Sequence, residues 1–230
     1  MLKTWTAPLI RAAGLGQDAV KIILVQSPDV NAFVAGGPNI FIYTGLLEKT
    51  DSPAEVMGVV AHELGHIEGG HLVRAQEQME NASYEVILGT ILGVGVAAAS
   101  GSADAAAAIS TGAAHLAQRN FLSFSRTQES SADQAAVRIL GTAHEPMGGL
   151  VSFMQKLADE ETMPTGGLSA YTRTHPLSRD RVEALRAAVG DKASGTVPAA
   201  WIAQHARMKA KLIAYIAPAQ VQWLYPESEG

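Results

Sequence analysis

The chain has 230 residues, 47% of them hydrophobic and 17% charged, a balance that excludes extended disorder and fits one domain with at most a modest appendage. A formal charge of −5 without any basic run gives no electrostatic footprint for nucleic acid, which is excluded as a partner class. Cysteine is absent, so disulfides, thiolate catalysis and cysteine-ligated metal are excluded, while the compartment stays open.

Residues 1–11 lack a basic stretch followed by an apolar core, so no signal peptide is expected within the chain. Residues 19–26 are rich in β-branched side chains and predict a strand. A turn at Ser27, Pro28 and Asp29 separates it from a second strand over 31–35. Gly36, Gly37 and Pro38 predict the turn to a hairpin partner over 39–44. Ser52, Pro53 and Glu55 combine a capping serine, a first-turn proline and a glutamate three residues on, which starts a helix expected to run to about Gly69. Residues 86–99 form the longest apolar segment, about a dozen residues against the ~20 of a membrane-spanning helix, and read as a buried or interfacial helix. Residues 89–114 are dominated by Ala, Gly and Ser, with Asp104 the single charge, and read as an insert between two functional helices. Further helices are expected over 121–140, 146–160, 178–189 and 199–217, with a loop over 162–174 and an extended polar end. The fold class expected is α+β: a mostly helical domain over 1–190 with a small sheet, followed by a helical extension or tail over 191–230.

His62, Glu63 and His66 form the pattern H-E-x-x-H inside the first long predicted helix. Four residues advance a helix by about 400°, so both imidazoles leave one face and can share a cation. Glu63 sits on the flank, placed to take a proton from a water that zinc activates and to pass it to a leaving amine. The pattern is short and also arises by chance, in which case the three residues are ordinary members of a solvated helix face. Against that, Val59, Val60, Ala61 and Leu64 surround them with apolar side chains, and buried histidines need partners.

A zinc peptidase requires a third protein ligand. The extended motif with a third histidine fails here, because Leu72 falls at its position and His71 misses by one. A glutamate from a later helix is the other common solution, and Glu129 supplies it. Asp133, one turn on, is placed to accept a hydrogen bond from a ligand histidine. The alternative is an ordinary acidic pair on an amphipathic helix, which the small neighbours Ala132, Ala135 and Ala136 oppose.

With H-E-x-x-H followed by E-x-x-x-D, the chain resembles the gluzincin zinc metallopeptidases. Within them it resembles the group of HtpX, Oma-type and CAAX prenyl proteases, and most the soluble periplasmic BepA-like branch. Three further segments carry the likeness: Asn31, Ala32 and Phe33; Thr44, Gly45, Leu46 and Leu47; and Thr174, His175 and Pro176 with Arg181. The resemblance implies a zincin-type fold whose edge strand, at Asn31, Ala32 and Phe33, flanks the active-site helix and receives an extended substrate. It implies one Zn2+ per chain, and places His175 near the metal, stabilising the oxyanion or filling the open coordination position in a resting form, with Arg181 supporting the same region. The expected activity is endoproteolysis of extended or misfolded polypeptides in envelope protein quality control, in the bacterial periplasm, with peripheral-membrane or outer-membrane assembly partners. A zinc-stabilised chaperone or assembly factor with gated or negligible peptidase activity would carry the same residues.

Overall fold

In the computed structural model, which describes residues 1–162, 169–193 and 195–216, the chain divides into two compact units. One comprises Met1–Glu68 with Ser131–Gly230, the other Gly69–Ser130. Helix α1 (Leu2–Ala12) was not foreseen, because Pro8 lies within it; its apolar stripe buries Trp5, Leu9 and Ile10. Three strands follow: β1 (Lys21–Val25), β2 (Ala32–Val34) and β3 (Asn39–Tyr43). β2 and β3 form the expected hairpin, turning through Gly36 and Gly37 at φ 61° and 94°, which favour glycine. β1 joins the far side of β3 in parallel, giving the order β1-β3-β2 and leaving β2 at an edge. Ile40 and Ile42 point into the core, while Phe33 stacks on Phe41 on the opposite face at 5.2 Å between ring centroids.

A short helix, α2 (Thr44–Lys49), leads into α3 (Pro53–Glu68). Every residue of α3 from Pro53 to Gly65 is buried, so it is the central helix of its unit. Its start is fixed as the capping pattern predicts, with one displacement. The Glu55 amide faces Ser52, but the Glu55 carboxylate reaches back to the Asp51 amide at 2.8 Å. That carboxylate also accepts from Lys156 at 2.9 Å and from Ser152 at 2.9 Å, tying α3 to the helix opposite. This is α6 (Gly148–Glu161), and two glycines set its distance from α3. A Cβ on Gly58 would lie 2.6 Å from the Leu150 backbone, and one on Gly149 2.2 Å from that of Ala54.

The second unit differs from expectation. α4 (His71–Ser100) and α5 (Ala103–Thr142) are long helices joined by a tight turn at Gly101, so residues 89–114 are a helical hairpin and α5 begins well before residue 121. The apolar run at 86–99 is not buried: it is the end of a 30-residue helix with large aliphatic side chains exposed. Over His71–Ala99, α4 is long and apolar enough to cross a membrane.

α7 (Ala170–Thr174), α8 (Arg179–Val189) and α9 (Ala199–Ile216) complete the described chain. α7 shortens the loop expected over 162–174; residues 163–168 and the polar end from 217 lie outside the described residues. On α9, His205 is buried beside Trp5, with its Nε2 2.9 Å from Thr50 Oγ1. Burial first, and Lys209 second, lower its pKa below the ordinary value of 6.5. The unfolded chain therefore binds a proton that the folded chain resists. His205's contribution to stability is full above about pH 6.5 and is lost as the pH falls below it toward the lower folded value. Thermal melts between about pH 7 and pH 5 should show a steeper loss of Tm for the wild type than for His205→Gln.

Candidate metal centre

On α3 the two histidines of the H-E-x-x-H motif stand one turn apart, with Nε2 of His62 3.1 Å from Nε2 of His66. Two nitrogens at zinc-ligand distance and tetrahedral angle stand about 3.3 Å apart, so the pair is already spaced for one cation. His62 Nδ1 donates to Asp133 Oδ1 at 2.9 Å, which leaves Nε2 as the lone-pair nitrogen turned toward His66. Glu129 lies on α5 one turn before Asp133. His62, His66, Glu129 and His175 offer ligand atoms all within 4.8 Å of one another, and no other such group of metal-ligating side chains occurs among the described residues. Three imidazoles and a carboxylate, borderline and hard donors together, form a set suited to zinc.

Asp133 is gripped from both sides. Arg181 donates to it through Nε at 2.8 Å and Nη2 at 2.9 Å, a bidentate pair buried with it. Burial pushes the Asp133 carboxyl up, but the hydrogen bonds from His62 and Arg181, and their charge, outweigh it and hold the group below the usual carboxylate range. Ser178 caps α8 by accepting from the Arg181 amide, and Arg181 Nη1 donates to the Pro176 carbonyl at 2.8 Å. Arg181 is thus joined to His62 through Asp133.

His175 follows the last residue of α7, where Pro176 ends the helix. Its Nε2 donates to the Ala32 carbonyl at 3.1 Å and lies 3.4 Å from Glu63 Oε1. Asn31 and Ala35 exchange backbone hydrogen bonds with β3, so the alternation of an antiparallel pair turns Ala32 and Val34 toward the open edge of β2. Of the three edge residues singled out from sequence, Ala32 presents its backbone to that edge, and Phe33 pairs with Phe41 on β3. Asn31 bonds Tyr43 through its carbonyl and accepts from Thr174 Oγ1 at 3.2 Å through its side chain.

Two residues at the site were missed. Tyr171 is buried and stacks on His175 at 4.6 Å between centroids; the i, i+4 spacing on α7 is the signal that could have found it. Gly65, inside the motif, has no sequence signal. A Cβ there would lie 2.7 Å from the Ala132 carbonyl oxygen and 3.0 Å from Ala132 Cα, so only glycine lets α3 approach α5 this closely.

A helix carrying H-E-x-x-H beside a small sheet with an open edge, and a carboxylate from a later helix, form a candidate metal centre of the kind a metallopeptidase requires. The comparisons agree with that class. The sequence profile of peptidase family M48 matches residues 1–189, and the chain belongs to this family. It is 29% identical over 163 residues to the beta-barrel assembly-enhancing protease of Yersinia pestis, an alignment covering 71% of this chain and 33% of that protein. It is 32% identical over 163 residues to metalloprotease LoiP of Escherichia coli K12, covering 70% and 59%. To protease HtpX of Ectopseudomonas mendocina it is 30% identical over 214 residues, covering 77% and 69%. The chain therefore spans about a third of the length of the assembly-enhancing proteases it matches.

Gly65→Ala keeps every candidate ligand but forces α3 from α5. It is expected to weaken zinc binding by about tenfold or more, as changes to ligand support do, with helix content retained; competition with a chromophoric chelator and circular dichroism check this.

Proposed function

We propose that the chain is a zinc-dependent endopeptidase acting on extended or misfolded polypeptides of the bacterial envelope, in the periplasm. The observation that carries the reading is Glu63. It is a fully buried carboxylate within the His62–His66 face, 3.4 Å from His175, whose Nε2 also reaches the open edge of β2. His62, His66 and Glu129 are the proposed ligands of one zinc ion, with Asp133 orienting His62 and Arg181 holding Asp133. When bound, zinc supplies Lewis-acid activation of water and of the scissile carbonyl. Ala32 and Val34 add an extended substrate to the sheet through their outward backbone groups, which fixes the peptide beside α3. Glu63 takes the proton of the attacking water and delivers it to the leaving amine. His175 donates from Nε2 to the developing oxyanion. Polypeptides are the substrates by family; the relatives' names extend the proposal to clients of outer-membrane β-barrel assembly.

Hydrolysis of an unfolded protein such as reduced, alkylated casein by the zinc-loaded chain tests this. Glu63→Gln should keep one zinc per chain and lose about 10²–10⁴-fold in kcat, and a chelator should abolish cleavage. Cleavage surviving both controls would sink the assignment.

A gated form of the same enzyme has its own support. His175 joins the ligand cluster and also holds the Ala32 carbonyl, which an incoming strand must use. If His175 holds the site closed, His175→Ala should raise the cleavage rate of an extended peptide; if it serves the oxyanion, kcat should fall by about 10²-fold or more.

A further inference from the structure

The open edge of β2 carries side chains that backbone pairing does not use. Ile40 and Ile42 fill the core side of the sheet, so by alternation Phe41 and Tyr43 lie on the outer face, away from the core. In register with Phe41 stand Ile23 of β1 and Phe33 of β2, which makes one apolar row across all three strands. These three side chains are half-buried and lie outside the hydrophobic core. A sheet face turned from the core is ordinarily polar, and the neighbouring row follows that rule with Lys21 and Asn39. The apolar row instead continues to the edge and ends on the Phe33 ring.

That ring is fixed by its neighbours. Phe33 stacks on Phe41 at 5.2 Å with the ring planes 10° apart, and meets Tyr43 edge-on at 5.8 Å and 80°. Stacking uses one face of the ring, so the other face turns away from β3, toward the open edge. The edge also lacks the usual devices against pairing. Ala32, Phe33 and Val34 include no charge and no proline, whereas β1, at the other edge of the sheet, begins with Lys21. The contact between Phe33 and Phe41 is enough to stabilise the hairpin, but it does not account for an aromatic face directed at an unprotected edge.

The pairing pattern says what would meet that face. Ala32 and Val34 turn their backbone groups outward, so an antiparallel strand added to β2 exchanges hydrogen bonds with these two. The residue between its two bonded residues stands opposite Phe33, in the type of pair whose Cα atoms approach to about 4.5 Å and whose side chains lie closest. Its side chain falls on the outer face and extends the row. Its two neighbours point to the α3 side.

We propose that Phe33, backed by Phe41, is a specificity-determining residue that selects extended polypeptides with an aromatic or large aliphatic side chain at the position facing it. This rests on the peptidase reading for the fate of the bound strand, and on the pairing geometry of β2 for the binding itself. In antiparallel order the selected residue lies immediately N-terminal to the one paired with Ala32, whose carbonyl His175 holds. Segments of this kind are buried in folded proteins and become available as extended chain in unfolded ones, so the row favours misfolded clients.

The test uses the full zinc-loaded chain carrying Glu63→Gln, which separates binding from hydrolysis, and a fluorescent Ser/Thr host peptide with Phe, Leu or Ala at one central position. A host of uniform composition can slide along the edge until that side chain meets the row. Fluorescence anisotropy should show about tenfold tighter binding of the Phe peptide than of the Ala peptide, with Leu between them. Phe33→Thr, which keeps strand propensity, should bring the ratio to about one, and Phe33→Trp, which keeps an aromatic face, should retain it, with the fold of both checked by circular dichroism. With Glu63 intact, the products of casein cleavage should show the same preference at a single position, lost in Phe33→Thr. Equal binding of the three peptides with Phe33 in place overturns the inference whether or not the Thr variant folds. So does a ratio that survives Phe33→Thr, or no binding of any of the peptides. Selective binding without casein cleavage would instead sink the peptidase reading and leave the selectivity of the edge standing.

Discussion

One buried carboxylate, Asp133, accepts from His62 on one side and from Arg181 on the other, and three segments far apart in sequence are fixed relative to one another through it. The consequence for His62 is chemical. With Nδ1 donating, the imidazole has a single tautomer and one lone pair, directed at His66. Arg181 makes that affordable in a buried setting, since a carboxylate paired bidentately keeps its charge where an isolated one would take up a proton. The orientation of His62 in the candidate centre is thereby set by contacts within the chain.

Close helix approach is the second constraint. α3 is surrounded by apolar neighbours along nearly its whole length, and glycines stand where its neighbours come nearest: Gly58 against Leu150, Gly65 against Ala132, and Gly149 of α6 against Ala54. A helix confined in this way cannot slide or rotate, and a site built on rigid helices holds its donors to the fractions of an ångström that coordination requires. The sheet is joined to the same framework through the loop after α7. The Tyr171 amide donates to the Val30 carbonyl, Thr174 bonds Asn31, and His175 bonds Ala32. One short segment therefore sets the position of the substrate edge and of the histidine beside Glu63.

The two units distribute their apolar side chains differently. The first has a conventional core and a polar exterior. The hairpin of α4 and α5 reverses that pattern above its base, with small residues inside and large aliphatic ones outside. The same chemistry that makes residues 89–114 look featureless as a composition, small side chains and few charges, lets two helices lie close together with their aliphatic residues facing away.

The sequence by itself determined the local features. The spacing of His62, Glu63 and His66 specifies one helix face, Ser52 and Glu55 its start, and Gly36 and Gly37 the hairpin turn, because each depends on residues within one turn of one another. It also indicated Glu129 and Asp133, through the same one-turn logic on a later helix. Features between distant segments were decided by tertiary structure. The parallel pairing of β1 with β3, the bidentate grip of Arg181 on Asp133, the hold of His175 on Ala32 and the requirement for glycine at position 65 all join residues whose separation in sequence carries no geometric information. α4 shows the same limit: its composition marks it as apolar, but only the folded chain shows that those side chains face outward, since burial is a property of what surrounds a helix.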